Sequence, residues 1–354
     1  MRVASAEPDA VERARLEAAY ARGDVATWPY EKARARESTD PAHLLPGARS
    51  VVVLALAYAT PPPAGRRAPL TGRISNYAWS RDYHAGLRAL ADAVASELER
   101  CAGAPVSRAV CDTAPLAERA FAARAGIGWV GKHANLIARG AGSFVFLAEV
   151  VTTLALEPDP PLKKSCGACA RCVSACPTGA LRGDYTMDST RCISDLTQRR
   201  DPMPRALRPL VGDWVWGCDL CQEVCPPTRR AGRKGAPEFA PASSAAAFPD
   251  LQALLRVRGA DFRTTYARTA LGWRGAAVLR RNAAVALGNG LDRAAVPALE
   301  AALEADPSPL VRGHAAWALG RIGSPRARAA LERALGRETD GAVREEIGAA
   351  LAAS

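Results

Sequence analysis

The chain has 354 residues, 49% of them hydrophobic and 23% charged, with a formal net charge of +11. That length allows two or three domains and that apolar share supports a packed core, which excludes a disordered tail or a lone small ferredoxin. No run is apolar and long enough to span a bilayer, and the first residues, mixed charged and small, carry no export leader, so a cytoplasmic protein with no membrane partner is expected.

In chain order, Ser50 to Tyr58 (Ser-Val-Val-Val-Leu-Ala-Leu-Ala-Tyr) is a strongly apolar strand-like run, and a helix follows with Leu87, Leu90, Val94 and Leu98 on one face. Further strands are predicted near Val106 to Val110 and Phe144 to Val151. Together they predict an α/β domain over residues 1–157. Pro158, Pro160 and Pro161 lead into a cysteine-rich domain over 158–235, and a Pro/Ala/Ser-rich connection from Ala236 to Pro249 opens a last domain over 236–354. That last stretch repeats itself: Leu279 to Gly288, Val311 to Gly320 and Val343 to Leu351 align at offsets of 32 residues, with helical stretches Ala295 to Ala305 and Arg326 to Leu335 between them. Paired helices at that period predict an all-α HEAT-like repeat whose small residues let neighbouring helices approach closely.

Eight of the ten cysteines fall between Cys166 and Cys225. Cys166, Cys169, Cys172 and Cys176, followed by Pro177, have the bacterial ferredoxin spacing C-x2-C-x2-C-x3-C-P, in which the fourth cysteine ligates the other cluster. The crossover gives Cys166, Cys169, Cys172 and Cys225 for one [4Fe-4S] cluster and Cys176, Cys192, Cys218 and Cys221 for a second. Closed zinc sites and disulfides of an oxidising compartment fit the spacing less well. Cys192 stands well upstream of Cys218, an insertion that suggests something else lies beside the second cluster. Cys101 and Cys111 fall outside both sets and read as buried thiols.

Between Pro227 and Arg281 stand eleven Lys/Arg against Glu238, Asp250 and Asp261, most of the chain's positive excess in one stretch. A polyanion such as nucleic acid is the sharp reading of that excess, a solvated surface the bland one. Trp214, Trp216 and Trp273 read as core aromatics, with base stacking the alternative. Neither Gly126-Ile-Gly128 nor Gly131-Lys132 has the spacing of a dinucleotide or phosphate-binding loop, so nucleotide hydrolysis is a poor reading.

Several blocks then resemble the epoxyqueuosine reductase family: Tyr77-Ala78 with Arg81-Asp82-Tyr83-His84, Cys111-Asp112-Thr113-Ala114-Pro115 with Glu118-Arg119, Gly126-Ile-Gly128-Trp129-Val-Gly131-Lys132-His133, Gly142 to Leu147, and Arg191-Cys192-Ile193-Ser194. The resemblance runs from about Leu44 to the repeat end. It implies a nitroreductase-like fold for the first domain, and a cobalamin-dependent reduction of epoxyqueuosine to queuosine at the wobble position of tRNA, the last step of queuosine synthesis. It also implies Asp112 as proton donor, Tyr77, Asp112, Lys132, His133, Leu136, Leu147 and Ser194 around the corrinoid, and an external one-electron donor such as flavodoxin or ferredoxin. The family usually has a further helix before its first strand, whereas here Val3-Ala4-Ser5-Ala6 already stands where that strand is expected. Cys111 and Gln198-Arg199-Arg200 also depart from the family's pattern. His84 and His133 are candidates to touch cofactor or substrate. A monomer is expected, because nothing resembles a coiled coil or an exposed sheet edge. The competing readings are a corrinoid and iron-sulfur reductive dehalogenase, and a ferredoxin-like carrier whose repeat tail docks a protein.

Overall fold

A computed structural model describes residues 1–25, 33–65 and 67–353. The chain forms two compact units: Met1–Pro61, Asp82–Cys192 and Asp219–Ala240 make the first, and Pro62–Arg81, Ile193–Cys218 and Pro241–Ser354 the second. The strands in chain order are β1 (Arg2–Ser5), β2 (Ser50–Ala57), β3 (Arg73–Ile74), β4 (Ser107–Val110), β5 (Gly128–Val130), β6 (Leu136–Ala138), β7 (Val145–Thr152) and β8 (Trp214–Trp216). Among the described residues, no helix is long and apolar enough to cross a membrane.

The first unit is built on a sheet of order β1-β2-β7-β4, antiparallel at every pairing. The apolar, β-branched run of β2 pairs residue for residue with β7 from Ser50↔Thr152 to Ala57↔Val145. Sheet and helices thus mix without a βαβ crossover in this sheet, an α+β arrangement. The helix Tyr83–Ala102 packs against β4 and β7. Its buried residues are Leu87, Ala91 and Ala95, while Leu90, expected on the same face, is 47% exposed. An i, i+4, i+8 stripe of one leucine and two alanines brings the helix close to the sheet and turns Leu90 outward. The helix Glu118–Arg124 sets Phe121 and Ala122 into a core shared with Val51, Val53, Val110 and Val151.

The second unit joins β3 and β8 in parallel and covers β8 with the helix Ala276–Gly290. That helix, Pro309–Ile322 and Gly341–Ala353 are the three repeat copies, and Val296–Ala305 and Pro325–Leu335 lie between them as the 32-residue offset predicts. A Cβ on Gly288 would come within 2.8 Å of Ala318 Cα, and one on Gly320 within 2.7 Å of Ala350 Cβ. The same small-on-small contact recurs from one copy to the next.

The structure corrects the reading of the basic stretch. Arg281 is fully buried and donates to the carbonyls of Leu196, Arg199 and Asp201. Asn282 beside it donates to the carbonyls of Thr197 and Val215. Arg280 and Arg258 both bond the buried Asp306 carboxylate. All three hold the fold, and Arg280 and Arg281 are buried and so not surface charge, because buried carbonyls and a buried carboxylate need donors that water cannot supply. Trp214 and Trp216 are core residues, as expected, but Trp273 is 49% exposed.

The repeat contact makes opposite predictions for two glycines. Gly320→Ala should cost about 1–3 kcal/mol by overpacking. Gly348→Ala, where a Cβ meets nothing within 4 Å, should gain about 1 kcal/mol of helix propensity. Thermal denaturation of the two variants beside the parent chain measures both signs.

Candidate active site

β4 ends at Val110, and two residues later Asp112 takes a left-handed backbone with φ 55°. Such a conformation is uncommon outside glycine, though Asp tolerates it better than most, so something must hold it. The Asp112 N–H donates to Glu118 Oε1 at 2.5 Å, from the first residue of the following helix. The Asp112 side chain is 55% exposed and meets His84 Nε2 at 3.0 Å. His84 Nδ1 lies 2.5 Å from Asp82 Oδ1, and the same Asp82 oxygen accepts the His84 backbone N–H as helix cap. One carboxylate therefore starts the helix and fixes the imidazole at its first turn.

The ring of His84 is further held by stacking. Tyr83 lies on His84 with centroids 4.2 Å apart and on Phe146 at 4.1 Å. Phe146 in turn stacks on Tyr58 and meets Phe239 edge to face. The hydrogen bond to Asp112, outweighing burial and aided by Asp82, raises His84 to about 9. It is an imidazolium at neutral pH, with both N–H groups donating to carboxylates.

Behind the Asp112 turn the sheet carries an anomaly. Glu149 stands in β7 opposite Val53 and Val110, fully buried, on the face that packs against the helix Glu118–Arg124. No N–H or cation among the described residues bonds its carboxyl oxygens, and the polar group they face is the Glu118 carboxyl. Burial, Glu118 and Asp112 all push Glu149 well up. Glu118 rises to about 7 through burial and the Asp112 charge. Cys111 shares this crowding: burial, then Glu118 and Asp112, push its thiol up to about 12, so it stays protonated, as a buried thiol should.

The Gly126–His133 block supplies β5 and the start of the turn that leads into its hairpin partner β6. His133 is buried, and its Nδ1 accepts the Asn135 N–H at 3.2 Å. Burial first, then Arg119, lowers it to about 4, so it is neutral. With Nδ1 accepting, the proton sits on Nε2, which is buried without a partner among the described residues. Lys132 Nζ donates to Gly167 O at 2.9 Å, in the first cysteine loop. The side chains of Leu136 and Leu147 belong to the apolar core of the first unit. Tyr77 and Ser194 lie in the second unit: Tyr77 on a short 3-10 turn against that unit's core, Ser194 on the helix Ile193–Leu196 with its Oγ accepting from Gln198.

Of the cysteines, Cys166, Cys169, Cys172, Cys176, Cys192, Cys221 and Cys225 lie in the first unit, and Cys218 ends a stretch of the second. The short helices carrying Cys172 (Arg171–Ala175) and Cys221 (Leu220–Glu223) pack together. Burial, then the Cys166 and Cys225 sulfurs, raise the Cys172 thiol, which groups three of the four residues assigned to the first cluster. Gly167, with φ 52°, makes the turn between Cys166 and Cys169 that a side chain would resist. Among the described residues, no three His, Cys, Asp or Glu side chains close on one ion. A cubane spreads its sulfurs around a cluster and does not ask for that. Cys101 is exposed, against expectation, because its helix turns it away from the sheet.

Sequence reasoning missed Glu149 and the stack of Tyr58, Phe146 and Phe239. One acid inside Phe144-Val-Phe-Leu-Ala-Glu149-Val-Val was the available signal for the first; nothing local marked the second.

Residues 39–113 match the family model "Epoxyqueuosine reductase QueG, DUF1730", residues 165–228 that of a 4Fe-4S double cluster binding domain, and residues 274–352 that of HEAT repeats. The epoxyqueuosine reductase of Bacillus cereus is 37% identical over 322 residues, 90% of this chain and 84% of that one. The epoxyqueuosine reductase of Bacillus subtilis is 36% identical over 321 residues, 90% and 83% of the two chains. A crystal structure of epoxyqueuosine reductase with a tRNA-Tyr epoxyqueuosine-modified stem loop superposes with a TM-score of 0.93 at 34% identity, over 99% of this chain and 94% of that one.

With four histidines in the chain, carbon-13 histidine labelling makes the electrostatics measurable. His84 should titrate at about 9 and His133 at about 4. Because the folded value of His84 is raised, its contribution to stability is present below its ordinary 6.5 and fades as pH climbs through about 9. Asp112→Asn should bring the His84 midpoint back toward the ordinary value and leave His133 where it is.

Proposed function

The chain belongs to the epoxyqueuosine reductase family, and we propose from that premise that it reduces epoxyqueuosine to queuosine at the wobble position of tRNA, using cobalamin fed through two [4Fe-4S] clusters. It is an oxidoreductase with a 4Fe-4S double-cluster domain and a HEAT-like repeat. The observation that carries the chemical reading is the exposed Asp112 carboxyl joined at 3.0 Å to the His84 imidazolium.

Opening an epoxide to an alkene consumes two electrons and two protons and releases the oxygen as water. When bound, cobalamin in its Co(I) state supplies the reducing electrons, and the clusters relay them one at a time from an external donor such as flavodoxin or ferredoxin. The protein's part is the proton. The His84 imidazolium would pass its proton through the Asp112 carboxyl, which faces the departing oxygen, and the second proton that the water needs would come from solvent. Asp82 and the Tyr83 stack keep that imidazole aimed at Asp112 through the cycle.

The residues fit the cofactors named. The buried Nε2–H of neutral His133 lacks an acceptor, and a bound corrinoid's amide side chains would offer one. The same kinship assigns Tyr77, Leu136, Leu147 and Ser194 to the corrinoid, the side chains of the two leucines being part of the first unit's core. Lys132 acts through the first cysteine loop. Cys166, Cys169, Cys172 and Cys225 would hold one cluster and Cys176, Cys192, Cys218 and Cys221 the other. The first unit is read as nitroreductase-like and the protein as cytoplasmic, on the same kinship. Bare electron transfer would have no use for the Asp112–His84 pair, and a dehalogenase no use for a tRNA-facing surface.

For that surface, the second unit keeps Arg256, Arg263 and Arg268 exposed, with Arg274 stacked 3.6 Å over the exposed Trp273 ring. Phosphate contacts from such arginines and a stacking ring are what an RNA loop requires.

Two measurements check these statements. Incubating reduced protein and cobalamin with modified tRNA, then separating the nucleosides, should show epoxyqueuosine lost and queuosine gained. Asp112→Asn should abolish this while retaining both clusters and the corrinoid spectrum, and undiminished turnover would sink the acid assignment. A double Arg263→Glu, Arg268→Glu chain should bind tRNA more weakly and with a shallower salt dependence, by about one unit of slope for each lost phosphate contact.

A further inference from the structure

We propose that Glu118 and Glu149 share one proton, carried by Glu149, and that this buried acid pair is the positioning device for the Asp112 turn. The inference rests on Asp112 being the proton donor, and it adds two residues to the machinery behind it.

An ionised carboxylate in an apolar layer without a donor is too costly to persist, whereas a neutral carboxylic acid is tolerated and brings an O–H of its own. Glu149 is such a group: fully buried, opposite Val53 and Val110, with no N–H or cation at its oxygens among the described residues. The carboxyl it faces is that of Glu118. Glu118 already accepts the Asp112 N–H at 2.5 Å, a bond that asks for a carboxylate. The arrangement satisfying both is a neutral Glu149 donating its O–H to a Glu118 carboxylate, which accepts from Asp112. The N-terminal turn of the helix Glu118–Arg124 favours the negative charge at Glu118.

The charged and titratable groups around the pair are Asp112 and Cys111 beyond β4, with Arg119 on the helix of Glu118. Arg119 is turned away, donating to the Ala134 carbonyl at 2.6 Å. The acids crowd together, so the pair holds its shared proton through neutral pH and gives it up as pH rises. Once both carboxyls are charged they repel, Glu118 loses the Glu149 O–H that orients it, and the left-handed Asp112 turn loses a fixed anchor. The sheet thereby couples protonation in its interior to the geometry of the acid at its end.

Two substitutions at Glu149 separate positioning from mere packing. Glu149→Gln keeps a donor toward Glu118 and should keep kcat. Glu149→Leu suits the apolar layer but removes the O–H that orients Glu118 toward the Asp112 N–H, and should lower kcat about tenfold, the loss of one charge-assisted hydrogen bond, with KM for the modified tRNA unchanged. Infrared spectroscopy of the protein without substrate or cobalamin should show the carbonyl stretch of a buried protonated carboxylic acid, absent from both variants. A parent chain without that band, or a Glu149→Leu enzyme as fast as the parent, would overturn the proposal. Retained turnover in Asp112→Asn would remove the acid's role without touching the band, so the two failures are told apart.

Discussion

The constraint on which the rest depends is that one carboxyl, Asp112, stays exposed and is still held in a backbone conformation it would not choose. Two contacts of opposite kind meet that demand. A cation, His84, grips the side chain, and an anion, Glu118, grips the backbone N–H. Neither would suffice alone. The side-chain pair is too exposed to order a turn by Coulomb attraction through water, and the backbone bond says nothing of where the carboxyl points.

Both contacts descend from the sheet. β7 lies between β2 and β4 and sends alternate residues to opposite faces. Phe146 goes to the face of the helix Tyr83–Ala102, where it stacks under Tyr83 and so under His84. Glu149 goes to the other face, where it meets Glu118. A single strand thus backs Asp112 from two sides by the period-two geometry that makes it a strand.

What the sequence disclosed follows the reach of each signal. The eight cysteines were legible because cluster ligation imposes a local spacing, and the repeat helices because close packing imposes small residues at a fixed period, seen at Gly288 and Gly320. β2 and β7 were legible because both are continuous apolar runs. Charge was read less well. Arg280 and Arg281 looked like surface in a basic stretch, yet they serve buried acceptors at Asp306 and at the carbonyls of residues 196–201. A charge count carries no information about which acceptors lie across the fold. Leu90 failed for a related reason: a helical stripe has a width, and alanines drew the contact to its other edge.

The same reasoning separates the two histidines, which looked alike in sequence. His84 sits between two carboxylates at a helix start and is driven to the cationic form. His133 sits in a hairpin turn, accepts a backbone N–H, and is driven by burial to the neutral form. One is therefore suited to hold a proton for transfer and the other to offer a fixed N–H to a bound group. Two residues of one type are given two chemistries by surroundings alone: for His84 a neighbouring capping aspartate two positions earlier, for His133 an apolar turn closed by Gly131 and Asn135. Their midpoints, about 9 and about 4, lie on opposite sides of neutrality, so a drift of one pH unit near neutral alters neither role.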